Sequence, residues 1–199
     1  MAARIFYLFA AVLVFGCQSR HFDNEQELRT YLEEKDNGLS VTKSVNGVQF
    51  KLSFTPTDLM VLNELEDPKN GEQVTKLREK YAQNLYFNLS ISKQKRELLS
   101  DMSHGRNGFA RLVNTLSFGL DESVHLFTSQ RDTLPLIDFV YPRMYGMSQS
   151  TNVMFVFRDE LINEEGDLNF VFQDIGLGTG DIRFKLPAAK ILEEPTLLF

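Results

Sequence analysis

No tryptophan occurs in the 199 residues, and cysteine occurs once, at Cys17. A lone cysteine excludes an internal disulfide framework and a thiolate metal cluster. Histidine is almost as scarce, and His21, His104 and His125 have neither the His-x-x-x-His spacing nor the His/Cys clustering that a zinc site needs, so no metal is expected. A Gly-x-Ser-x-Gly nucleophile elbow is missing too. Basic charge is in the minority, with 21 Lys and Arg against 27 Asp and Glu and a formal net charge of −6. Nucleic-acid binding needs cations arrayed against phosphates, and the densest run, Lys93-Gln94-Lys95-Arg96, reads as a solvated bend between two elements. No nucleic-acid partner and no cofactor are expected. Low-complexity tracts, internal repeats and long Pro/Gly/Ser linkers are also absent.

What is present begins with a charge-free apolar run from Ile5 to Phe15 behind Arg4. It is too short for a membrane span, which takes roughly 20 residues, and fits the hydrophobic region of an export signal. Val14-Phe15-Gly16-Cys17 then resembles the lipobox of bacterial lipoproteins. The resemblance implies cleavage between Gly16 and Cys17 by signal peptidase II and acylation of Cys17, with the membrane as partner through its acyl chains. It also gives the lone cysteine a use. By the same resemblance, Gln18 in place of Asp favours the outer membrane of a Gram-negative envelope. The expected organisation is a signal peptide over residues 1–16, an acylated cysteine and short tether over 17–22, and one globular β-rich domain over 23–199.

Along that domain, Asp23 and Gln26 resemble a capping box opening a short helix through Leu28, Tyr31 and Leu32, with Asn37-Gly38 at its end. Leu39 to Val45 and Val48 to Phe54 alternate apolar and polar residues around Asn46-Gly47. A two-residue type I′ turn there pairs Val45 with Val48, Val41 with Leu52 and Leu39 with Phe54. Pro56 stops the second strand, a helical turn follows over Asp58 to Leu65, and a second helix over Glu72 to Tyr81. The apolar spacing at Phe109, Leu112, Val113 and Leu116 predicts another helix, interrupted upstream by Ser103 to Gly108. Further strands are expected at Leu85 to Ile91, Val124 to Thr128, Leu136 to Tyr141, Val153 to Phe157, Leu168 to Phe172 and Ile182 to Leu186. The fold class is therefore α+β, mainly β: an antiparallel sandwich or curved sheet of about eight strands with two or three appended helices.

Few residues carry chemistry. His125 follows Asp121 and Glu122, a conceivable imidazole–carboxylate pair, but a strand histidine is the plainer reading. Gly176-Leu-Gly-Thr-Gly180 lacks the following helix of a phosphate-binding loop and reads as a bent hairpin loop; Asp174 and Asp181 beside it are too few acids to argue for Ca²⁺. Asp132-Thr133-Leu134 resembles a three-residue O-glycosylation acceptor, with Thr133 as the modified residue. The C-terminal Pro195 to Phe199 is expected to dock on the domain or on a partner and not to insert in a membrane. Three functions compete: a non-enzymatic interaction or accessory subunit of an envelope protein complex, a glycan- or lipid-binding lipoprotein using exposed Tyr86, Tyr141 and Tyr145, and an enzyme with an unrecognised site near His125.

Overall fold

The structure is a computed structural model that describes residues 20–67, 70–100 and 105–199, with the side chains of residues 105 and 106 not included. In chain order it runs β1 (His21–Phe22), α1 (Glu25–Glu33), β2 (Ser40–Val45), β3 (Val48–Thr55), α2 (Thr57–Glu64), α3 (Gly71–Tyr81), β4 (Asn84–Lys93), α4 (Gly105–Phe118), β5 (Val124–Phe127), β6 (Thr133–Leu134), β7 (Leu136–Val140), β8 (Thr151–Arg158), β9 (Asp167–Phe172), β10 (Ile182–Pro187), α5 (Ala188–Leu192) and β11 (Thr196–Leu197). All eight expected strands form. Three two-residue strands and a five-residue helix are added to them.

Two sheets face each other. One has the order β2-β3-β4-β8-β7, the other β10-β9-β5-β6, and every pairing within them is antiparallel. Alternation explains the packing, because Val48, Phe50, Leu52 and Phe54 of β3 and Ile182, Phe184 and Leu186 of β10 all point into the space between the sheets. Phe170 sits at the centre of that space, its ring 5.7 to 6.1 Å from those of Phe87, Phe155, Phe157 and Phe184 in tilted or edge-on contacts. Phe50 and Phe172 close the next layer at 6.0 Å. The aromatic content of the chain is thus spent largely on one core.

The β2–β3 hairpin has the expected register, Val45 opposite Val48 and Val41 opposite Leu52, with the Phe54 N–H donating to the Leu39 carbonyl at 2.8 Å. Asn46 and Gly47 take φ of 51° and 77°, as a type I′ turn requires. The α1 cap differs from expectation by one residue. Asn24, not Asp23, accepts the Glu27 N–H at 3.0 Å, and its own amide donates to the Glu27 carboxylate at 2.8 Å. Asn and Asp cap about equally well, so propensity alone does not choose between adjacent candidates. The expected break at Ser103 to Gly108 is shorter than predicted, because α4 is already helical from Gly105; residues 103–104 lie outside the described residues.

The tail does dock. Asp58, 3% exposed, receives both guanidinium arms of Arg78 at 2.7 Å and the Leu197 N–H at 2.7 Å. Arg78 also donates to the Leu197 carbonyl at 3.0 Å and lies 5.3 Å from the Phe199 ring centre. The buried carboxylate is thereby fully partnered, as a buried charge must be. β11 in turn pairs in parallel with β1, so both ends of the described chain meet beside α2.

Candidate functional site

Among the described residues, seven of the eleven exposed large apolar side chains fall between positions 109 and 147: Phe109, Phe118, Ile137, Val140, Met144, Tyr145 and Met147. Three of them are almost wholly in solvent, with Tyr145 81%, Met147 80% and Phe118 74% exposed. Single exposed apolar residues are ordinary; a concentration on adjoining elements is not.

Helix α4 is the spine of this surface. It turns Leu112 and Leu116 into the core and leaves Phe109, Val113 and Phe118 toward the outside, which follows from the i, i+3, i+4 spacing of its apolar residues. On one side α4 and the segment 141–146 enclose a hollow of about 460 Å³, walled by Leu99, Phe109, Val113, Tyr141 and Tyr145. On the other, Phe118 with Ile137 and Phe139 of β7 walls a second, shallower hollow of similar size.

The loop that carries Tyr145 is clamped from beneath. Glu97, 4% exposed, accepts the N–H groups of Gly146 at 2.8 Å and Ser148 at 3.1 Å. The next residue, Leu98, donates its N–H to Thr151 Oγ1 at 3.0 Å. Arg143 reaches α4, donating to Ser117 Oγ at 2.6 Å. Burial raises the pKa of the Tyr141 hydroxyl, an effect that nearby Glu97 reinforces, so the phenol stays neutral.

Strand β7 is an edge strand of the larger sheet, β2 being the other. Pro135 precedes it, its register slips between Leu136 and Asp138, and the Asp138 carboxylate takes the Phe139 N–H at 2.8 Å. Each feature opposes pairing with a further strand. Contact here falls to side chains more than to backbone.

The other sequence candidates are dispersed. Gly16, Cys17 and the whole expected signal lie outside the described residues, as does His104. Tyr86 is a correction: it is 5% exposed, because α3 covers it, with the Tyr81 ring 5.8 Å away and the Tyr86 hydroxyl donating to the Tyr81 carbonyl at 3.3 Å. Tyr141 and Tyr145 do share one hollow. His125 lies against Phe127 and Gln173, with its Nε2 3.3 Å from the Gln173 amide nitrogen, and forms no hydrogen bond or ion pair with Asp121 or Glu122. His21 instead pairs through Nδ1 with Thr196 Oγ1 at 2.6 Å.

Asp174 is consumed by its own loop. Its two oxygens accept N–H groups of Gly176, Leu177, Thr179 and Gly180 at 2.7 to 3.3 Å, and no group of three potential metal ligands occurs among the described residues. Thr133 stands exposed on β6, opposite Phe127, in a short strand and not in the expected loop. The apolar surface itself escaped sequence reading. Phe118 reads as one more core residue until Gly119 is seen to end the helix beside it, and Met144 and Met147 carry no period at all. Comparison with protein-family models, with curated proteins and with solved structures returns no match.

Proposed function

We propose that the protein is a lipid-anchored, non-enzymatic interaction subunit of the Gram-negative outer membrane, and that the face built by α4, β7 and the 141–147 loop receives an envelope protein partner. The observation that carries this reading is the pair of hollows beside α4, one lined by Phe109 and Tyr145 and the other by Phe118 and Ile137, with Val140 and Met147 exposed on the adjoining strand and loop. Aromatic residues and methionine are the types enriched at interface centres, and here exposed Arg111, Asp138 and Arg143 on the same elements, with Asp121 in the turn after α4, supply charges as an interface rim does. The anchor rests on the lipobox at Cys17 and its separate resemblance to bacterial lipoproteins.

Affinity purification of the tagged full-length protein from mild detergent, compared with a Phe118→Asp/Tyr145→Asp double variant, tests the reading. A stoichiometric envelope protein is expected with the wild type and lost from the variant, whose melting temperature stays unchanged because both side chains are already in water. Equal recovery from both proteins would sink the proposed face. The glycan- or lipid-binding reading has one observation in its favour, the aromatic hollow shared by Tyr141 and Tyr145. A defined lipid or glycan retained by a monomer, and lost on Tyr145→Asp, would favour it instead.

A further inference from the structure

The outer face of the smaller sheet carries side chains that neither the core nor the apolar face uses. Strand register sets them in two rows, Arg183, Val171 and His125 in one and Lys185, Asn169, Phe127 and Thr133 in the other. Side chains two residues apart on a strand are roughly 7 Å apart and cross-strand neighbours about 5 Å apart. Arg183 and Lys185 therefore stand side by side over Val171 and Asn169. Lys43 arrives from β2 and Arg131 from the β5–β6 turn, and all four cations line one open cleft of about 730 Å³. Asp167 is the single carboxylate in that lining.

So many cations around one cleft stand out in a chain whose net charge is −6. Among the described residues none of Lys43, Arg131, Arg183 and Lys185 forms an ion pair, whereas Arg29, Lys51, Arg78 and Lys80 all do. Arg131 adds an independent observation. Its backbone has φ 73°, the left-handed region that glycine enters freely and arginine only at a cost. The turn that imposes this is tightly held: the Thr128 N–H donates to the Asp132 carbonyl at 2.9 Å and the Arg131 N–H to the Thr128 carbonyl at 3.1 Å. Ser129 ties the same turn to β9, accepting the Asp167 N–H at 2.8 Å and donating to its carbonyl at 3.0 Å. The backbone of Arg131 is thus held in a left-handed turn beside the cleft that its side chain lines.

We propose that this cleft binds a phosphate-bearing ligand, with the phosphate among Arg131, Arg183, Lys185 and Lys43 and an apolar portion against Phe127 and Val171. A carboxylate is matched by one arginine fork. Four cations without ion-pair partners around one cleft, Lys43 among them with its Nζ 5.8 Å from the Phe184 ring centre, suit a group with two charges and more acceptor oxygens. The same chemistry is offered by a soluble phosphomonoester and by a phosphomonoester lipid headgroup, and the test separates the two.

The full chain in non-ionic detergent is titrated calorimetrically with phenyl phosphate, with benzoate, and with short-chain phosphatidic acid and phosphatidylcholine. Phenyl phosphate is expected to bind at least about tenfold more tightly than benzoate and to weaken as salt is raised. Arg131→Gly should lose at least about fivefold in affinity while its melting temperature holds or rises, because glycine relieves the turn. Lys185→Gln should lose a similar factor with unchanged melting. Equal affinity for phenyl phosphate and phosphatidic acid points to a soluble ligand, and a marked preference for phosphatidic acid over both phenyl phosphate and phosphatidylcholine to a headgroup. Indistinguishable binding of phenyl phosphate and benzoate, or unaltered binding by the two variants, overturns the proposal.

Discussion

At Gly166 the backbone has φ +75°, and a Cβ there would come within 2.1 Å of Ser129 Oγ and 2.9 Å of Ser129 Cβ. Ser129 cannot simply swing away, since its hydroxyl bridges both backbone groups of Asp167. Gly166→Ala therefore combines a left-handed backbone with a clash, and should cost on the order of 2 kcal/mol, visible as a lower denaturant midpoint. Unchanged stability would mean the bridge is not held as described. Glu194 gives a second prediction. Desolvation raises its pKa above the ordinary carboxylate value, against the lowering effect of the hydrogen bond from the Thr57 N–H. The native state then keeps its proton at pH values where the unfolded chain has released it, so this group's contribution to stability falls as pH rises from about 4.5 through the raised pKa, and then levels. Glu194→Gln keeps an oxygen for Thr57 and cannot ionise. Urea titrations across that range should show a flatter pH dependence for the variant, and parallel curves would refute the assignment. Neither residue was legible in the sequence, because each depends on a partner far along the chain: Ser129 for Gly166, Thr57 for Glu194.

The elements divide by how local their causes are. In the β2–β3 hairpin, alternation, turn chemistry and the stop at Pro56 all lie within a short stretch, and the structure follows that reading residue by residue. Gly47→Val should cost about 1–2 kcal/mol by forcing a β-branched residue into φ near 77°, and a Cβ at this position would meet nothing within 4 Å beyond its chain neighbours. Thermal melting of that variant checks it, with no loss of stability as the contrary result. β1, β6, β11 and α5 were not foreseen, and each is too short to carry a period. β1 and β11 exist only because the two ends of the described chain meet, with the Thr196 N–H on the Arg20 carbonyl at 2.9 Å and the Leu198 N–H on the Phe22 carbonyl at 3.0 Å. The basic cleft lies between these cases. The alternation from Ile182 to Leu186 already put Arg183 and Lys185 on one outward face, but only folding brings Lys43 and Arg131 to them. The run from Lys93 to Arg96, the densest in the sequence, instead closes on itself as a tight turn, with Gln94 and Lys95 at φ 53° and 58° and Lys93 bridged to Arg96.

For the whole molecule, the pairing of β1 with β11 changes what an anchor at Cys17 would do. The chain is held to the body from Arg20 onward, so the tether is shorter than the stretch to Phe22 expected from sequence. The remaining links from Cys17 span at most roughly 10 Å when extended. An acylated Cys17 would then keep the β1–β11 end of the sandwich against the membrane, with little freedom to tumble. No helix among the described residues is long and apolar enough to cross a membrane. We predict that Cys17→Ala abolishes incorporation of a labelled fatty acid and blocks signal peptidase II cleavage, so that an unacylated, uncleaved precursor accumulates. Acyl chains contribute roughly 0.8 kcal/mol per buried CH₂, and two or three of them account for stable retention where the apolar stretch from Ile5 to Phe15 is too short to span. Because Cys17 lies outside the described sandwich and its core, the substitution should leave the thermal unfolding of the body unchanged, and mass spectrometry with membrane fractionation reads the rest. A variant that still matures to the wild-type mass and still carries labelled acyl chains would show that the anchor lies elsewhere, and with it the orientation derived from β1.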